Sequence, residues 1–150
     1  MKVEYGTSID IESWMQLVQS VSWNFPGLET NAAIDDHRKA VLRFMGENRE
    51  LCVKDAEKVV GVLLLSKKHN MICCLAVAPE YRRNGIASVL LEKALTELDR
   101  SRDITVTTFR ANDEKGIAPR ALYKQFGFTE DKLMIENDYP VHRFVLRGNV

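Results

Sequence analysis

The stretch Leu75-Ala76-Val77-Ala78-Pro79-Glu80-Tyr81-Arg82-Arg83-Asn84-Gly85-Ile86-Ala87 decides how the rest of the chain is read. Its first part continues an apolar run that stops at a proline, the pattern of a buried strand. Beyond Gly85 the period changes. Ala87, Leu90, Leu91, Ala94, Leu95 and Leu98 form an apolar stripe at helical spacing, with Glu92, Lys93, Glu97 and Arg100 opposite. A strand, a loop with two arginines and a glycine, and a long amphipathic helix therefore follow one another. The first N–H groups of a helix have no partner inside it and carry partial positive charge, so such a loop is an anion cradle. Arg82 and Arg83 add formal charge that suits a diphosphate better than a carboxylate. Neither Gly-x-x-x-x-Gly-Lys-Ser/Thr nor Gly-x-Gly-x-x-Gly is present, so the anion is not the one either pattern binds.

Working outward, Ile11, Trp14, Met15, Val18 and Val21 recur at helical spacing behind Asp10, which is expected to cap a first helix. Asn24-Phe25-Pro26-Gly27 breaks it, and Thr30 can cap a second helix carrying Ile34, His37, Val41, Phe44 and Met45. Strand patterns follow at 51–53, 59–65 and 71–78, an antiparallel meander. After the long helix, the Thr- and Val-rich run 104–109 is a strand, expected to lie parallel to 71–78 because a helical crossover joins them. A fourth helix over 117–125 ends at Gly127, suited to a left-handed C-cap, and final strands are predicted over 128–136 and 141–146.

With 150 residues, 45% of them apolar, the chain has the size and balance of one globular domain, 1–150. Twenty-one basic and 21 acidic residues cancel, so no overall field attracts nucleic acid, and no apolar run reaches the ~20 residues of a membrane span. A soluble, cytoplasmic protein is expected. Cys52, Cys73 and Cys74 fit neither a disulfide framework nor zinc-ligand spacing, and are read as reduced, buried thiols; no metal is expected.

The run from Leu75 to Ala87 resembles the acetyl-CoA signature of the GNAT superfamily, Gln/Arg-x-x-Gly-x-Gly/Ala, with Arg82, Gly85 and Ala87 at its fixed positions. Leu122-Tyr123-Lys124-Gln125-Phe126-Gly127-Phe128 is similar to the family's later block Leu-Tyr-x-x-x-Gly-Phe. The resemblance implies an α/β (α+β) fold: a mixed, mostly antiparallel sheet of about six to seven strands flanked by about four helices, with parallel strands around the CoA loop. It implies CoA contacts from Leu75, Ala76 and Val77, from Arg82, Arg83, Asn84 and Gly85, and from Ile86, Ala87, Ser88 and Tyr123. Gly116 and Pro119 stand where many members have Asn and Ala, and Asn112 is a candidate replacement for the missing amide.

Moving an acetyl group from acetyl-CoA to an amine needs a polarised carbonyl, a neutral nucleophile and a proton for the leaving thiolate. The resemblance puts the oxyanion donor on a backbone N–H near Val77 and makes the Tyr123 phenol the general acid. No carboxylate lies on 71–77, which leaves Glu29, Asp35, Asp36, His37, His69 or a water chain for the amine proton. Direct attack is expected rather than an acyl-cysteine, since no base neighbours Cys73 or Cys74 in sequence. The acceptor is a small-molecule or peptide amine, shaped by the first third of the chain. The alternative is a non-catalytic acyl-CoA sensor. Arg82, Arg83, Arg120 and Lys124 are expected to gather at the CoA phosphates, and 141–146 is a candidate edge for homodimer pairing.

Overall fold

The structure, a computed structural model, describes residues 1–149. Seven strands form one sheet in the order β1-β2-β3-β4-β5-β7-β6. They are β1 (Val3–Glu4), β2 (Glu50–Asp55), β3 (Lys58–Ser66), β4 (Met71–Val77), β5 (Ile104–Phe109), β6 (Thr129–Glu136) and β7 (Tyr139–Leu146). All neighbours are antiparallel except β4 and β5. The helices are α1 (Ile11–Val21), α2 (Asn31–Gly46), α3 (Ile86–Glu97) and α4 (Ile117–Gln125). The mixed sheet, its single parallel step and the four helices match the expectation from sequence.

The interior strand β3 is buried on both faces, which explains its continuous apolar sequence. Leu63 and Leu65 pack with Leu90 and Leu91 of α3 and with Phe128 and Phe144, while Val62 and Leu64 pack with Trp14 and Val18 of α1. Each such side chain contributes roughly 1.5–3 kcal/mol by leaving water. Gly61 opens a gap in this wall: a Cβ there would collide with the Ile86 side chain at the start of α3. The missing side chain lets that helix end sit directly on the sheet.

Three local expectations change. Asp10 does not cap α1 with its side chain; it closes a 3-10 turn begun by Thr7, whose N–H donates to the Asp10 carboxylate at 2.8 Å. The last strand starts at Tyr139 and lies between β5 and β6, so 141–146 has no free edge and the exposed edge belongs to β6. Cys73 is exposed and Cys74 half-buried, and a register shift between Leu64 and Leu65 leaves Cys73 without a partner in the β3 pairing.

Candidate active site

The β4–β5 step is where the sheet opens. The two parallel strands are in register only at Met71 and Thr105, and beyond that point they diverge. On its other side β4 stays paired to β3 up to Val77, and the Ala78 N–H donates to the Val60 carbonyl at 2.9 Å. Backbone groups alternate sides along a strand. Ala76 and Cys74 therefore also direct theirs at β3, and Leu75 and Val77 present N–H and C=O to the gap. Unpaired strand groups facing a cleft are ready partners for an extended ligand.

At the end of β4, Pro79–Tyr81 makes one 3-10 turn and the chain enters α3 through Arg83 at φ 67° and Gly85 at φ 75°. Gly85 has both the left-handed backbone and open space where a Cβ would stand, so nothing blocks approach to the helix end. It offers no side-chain cap, and the first helical bond runs from the Val89 N–H to the Gly85 carbonyl. The N–H groups of Ile86, Ala87 and Ser88 precede that bond and are the orphan donors of the helix. Asn84 turns inward instead: its amide donates to the Tyr81 carbonyl at 2.9 Å and the Arg82 carbonyl at 3.3 Å, fixing the loop shape.

A cavity of about 550 Å³ runs from this loop along β4 to α4. Of the residues expected from sequence, Leu75, Ala76, Val77, Arg82, Arg83 and Gly85 line it, as do Ile86, Ala87, Ser88 and Tyr123. Asn84 and Asn112 do not; Asn112 borders a separate depression with Arg110, Asp113 and Tyr139. The expected basic cluster is also divided. Arg120 is 7% exposed, pairs with Glu130, donates to the Phe109 carbonyl at 3.0 Å and lies over the Phe144 ring. Lys124 faces the same Glu130 at 3.7 Å. Lys115 takes their place in the cavity wall beside the two loop arginines.

Tyr123 owes its position to the end of α4. Phe128 N–H donates to the Tyr123 carbonyl at 3.0 Å, Gly127 N–H donates to the Lys124 carbonyl at 3.0 Å, and Gly127 has φ 92°. This is a Schellman cap, and the accompanying apolar contact is that of Tyr123 with Phe128, ring centroids 5.7 Å apart. The Leu-Tyr-x-x-x-Gly-Phe block is thus a helix terminator that fixes one phenol. Pro119 occupies the first turn of α4, where its missing N–H breaks no helical bond. The Tyr123 side chain is 4% exposed, and burial, assisted by Cys74, pushes its pKa well above that of an ordinary phenol. The hydroxyl makes no hydrogen bond among the described residues.

A second cavity of about 230 Å³ adjoins the first. Asn24, Phe25, Leu75, Pro119 and Tyr123 belong to both walls. The second cavity alone adds Cys73, Cys74, Thr107, Phe109 and, at the end of β6, Glu136 with Asn137. Phe25 and Pro26 come from the early segment expected to shape an acceptor pocket. Glu136 was not expected: the only sequence hint is the Asn137-Asp138 pair, a hairpin signal that places a strand end there. Glu29, Asp35, Asp36, His37 and His69 line neither cavity. Glu29 instead accepts the Gly27 N–H at 2.9 Å, which holds its carboxyl below the usual range. Partial desolvation by the surrounding protein raises both thiols of the cysteine pair, Cys74 to about 12.

Comparison with known proteins agrees with this fold. The fold is similar to a GNAT-family acetyltransferase of Bacillus cereus, 19% identical over 99% of this chain and 98% of that one, with a TM-score of 0.74. It is similar to the ribosomal-protein-alanine N-acetyltransferase of Brucella melitensis, 15% identical over 98% and 99% of the two chains, TM-score 0.77. The PaiA N-acetyltransferase of Thermoplasma acidophilum, whose structure is a complex with coenzyme A, is 14% identical over 95% and 96%, TM-score 0.69. No curated protein sequence matches the chain. No helix among the described residues is long and apolar enough to cross a membrane. Residues 28–142 match the acetyltransferase (GNAT) domain, and the chain belongs to that family.

Proposed function

We propose that this chain is an N-acetyltransferase that moves the acetyl group of acetyl-CoA to a primary amine by direct attack, with both substrates bound. The observation that carries this reading is the meeting of two cavities at Leu75 and Tyr123, one running to an anion cradle and the other closed away from it. Acetyl-CoA fits the larger cavity: orphan N–H groups and Arg82 and Arg83 suit a pyrophosphate, and the unpaired edge of β4 suits an amide-bearing arm. When bound, it supplies an activated thioester carbonyl.

The residues then divide the work. Ile86, Ala87 and Ser88 hold phosphate oxygens through backbone N–H groups. The Val77 N–H and carbonyl bind the extended arm. Leu75, which borders both cavities, aims its N–H at the carbonyl oxygen, where negative charge grows during attack; this places the donor two residues earlier than the sequence suggested. The Tyr123 phenol is fully protonated at neutral pH and has an uncommitted hydroxyl at the junction. It donates a hydrogen bond to the departing sulfur, and the proton the sulfur finally keeps comes from the attacking nitrogen through that hydroxyl. The new C–N bond replaces the C–S bond, and one proton moves from nitrogen to sulfur. The raised thiol pKa values of Cys73 and Cys74 oppose a covalent route, since the nucleophile there would be a thiolate.

An acyl-CoA sensor would need no second cavity beside the phenol, so its presence favours turnover. The test is thiol release from acetyl-CoA across a panel of amines. Amine-dependent release by the wild-type protein, largely lost in Tyr123→Phe, is expected. Release that is absent with every amine, or unchanged in Tyr123→Phe, contradicts the mechanism.

A further inference from the structure

Among the described residues that line the smaller cavity, Glu136 alone carries a formal charge at neutral pH. Its place is fixed in three ways. It is the last residue of β6, in register with Tyr139, and the two residues between them, Asn137 at φ 51° and Asp138 at φ 60°, form the tight turn with two positive φ values that pins a hairpin. The Thr107 hydroxyl on β5 donates to its carboxylate at 3.0 Å. The Asn137 side chain donates to the Pro26 carbonyl at 3.4 Å, tying the hairpin to the segment after α1 and roofing the cavity. The cavity volume, about 230 Å³, lies below the roughly 300–1,000 Å³ of pockets for drug-sized ligands.

The position of the charge decides its role. Leu75 and Tyr123 border both cavities, whereas Glu136 and Thr107 border only the smaller one, so the carboxylate stands on the side away from the thioester. We propose that Glu136 anchors a second, non-reacting cationic group, and that the acceptors are short amines with a positively charged tail, short diamines being the simplest. Phe25, Phe109 and Val141 supply an apolar wall for the intervening carbons. Acetylation of the free end rests on the transferase reading above; the anchoring does not.

The test is a charge ladder on one carbon chain: 1,4-diaminobutane, 4-amino-1-butanol and 4-aminobutyrate. Ligand-observed NMR titration without CoA reads anchoring alone, and kcat and KM with acetyl-CoA read acceptor use. The affinity and kcat/KM of the diamine should exceed those of the alcohol by about tenfold or more, and the acid should be weakest. Glu136→Gln should bring the diamine to within about threefold of the alcohol, chiefly through KM, with the alcohol's kcat, acetyl-CoA affinity and melting temperature unchanged. Thr107→Val should give a smaller loss that Thr107→Ser restores. Equal binding of all three, a preference for the acid, or a ladder that survives in Glu136→Gln overturns the proposal. A fall in kcat for the alcohol in Glu136→Gln would make the carboxylate a base at the reacting nitrogen and overturn it too. Binding of the ladder without binding of acetyl-CoA would instead overturn the transferase reading and leave the anchor standing.

Discussion

The two cavities that meet at Tyr123 are built in different ways. The larger one takes its polar groups mainly from backbone: the orphan N–H groups at the start of α3 and the unpaired edge of β4 come from one stretch of about a dozen residues. The smaller one takes its polar groups from side chains that arrive from the segment after α1, from β4, β5 and the β6–β7 hairpin. Backbone donors depend on local conformation, so a helix start and a glycine with the right φ suffice to specify them. Side-chain sites depend on which distant segments the fold brings together, and a single stretch specifies none of them.

If this contrast is sound, the cofactor side should respond to changes in backbone more than to loss of a charge, and the junction should respond to loss of a single hydroxyl. The largest effect is expected for Tyr123→Phe. Removing a proton donor should lower kcat by about 10²–10³-fold, with acetyl-CoA affinity within about twofold of wild type by calorimetry. A comparable loss of affinity would mean that the phenol is part of the cofactor wall only.

Next comes an effect that should leave both cavities alone. Glu50 is fully buried; burial, opposed by the Gly6 N–H at 2.6 Å and helped by the nearby Asp10, raises its carboxyl to about 7. Below its ordinary range near 4.5 the carboxyl is neutral in both folded and unfolded chains. Between about 4.5 and about 7 the unfolded chain releases a proton that the folded one keeps, so stability should fall as pH rises through that window, by roughly 3 kcal/mol. Melting temperature against pH reads this directly. Glu50→Gln should flatten the decline while acetyl-CoA affinity at fixed pH stays constant. A parallel change in affinity would couple the core to the cradle.

Gly85→Val tests the backbone side itself. A left-handed φ costs a residue with a side chain roughly 1–2 kcal/mol, and the branch would stand in the open approach to the α3 terminus, so acetyl-CoA affinity should fall about tenfold to thirtyfold. Arg82→Ala should matter least. The arginine is exposed, and its contribution should be a threefold to fivefold loss of affinity at low salt that shrinks as ionic strength rises. If Arg82→Ala costs more than Gly85→Val, charge and not backbone geometry makes the cradle.

The same contrast explains what was legible in the sequence. The strand, loop and helix from Leu75 to Ala87 and the block from Leu122 to Phe128 could be read because each is a local device, an anion-ready helix start and a Schellman cap, whose residues are chosen by φ and by capping. The parallel β4–β5 step followed from one helical crossover, whereas the place of 141–146 between β5 and β6 did not. Glu136 was missed because nothing in a strand-end glutamate distinguishes it until β5 and the Pro26 segment close around it. Arg120 was misassigned for the same reason: in sequence it is a basic residue three positions from Tyr123, and only the fold shows Glu130 and Phe144 taking it into the core. Asp10 lost its capping role to Thr7 because a 3-10 turn preceded the helix, an extension that periodicity does not register.

The central claim, that the cavity between the α3 terminus and α4 binds acetyl-CoA, is tested most directly by calorimetric titration of the protein with acetyl-CoA beside free CoA, repeated on Gly85→Val. One-to-one binding of acetyl-CoA, weakened about tenfold or more in the variant while its melting curve stays cooperative, is the predicted result. Failure of the wild-type protein to bind either CoA species, or equal binding by the variant, would contradict it.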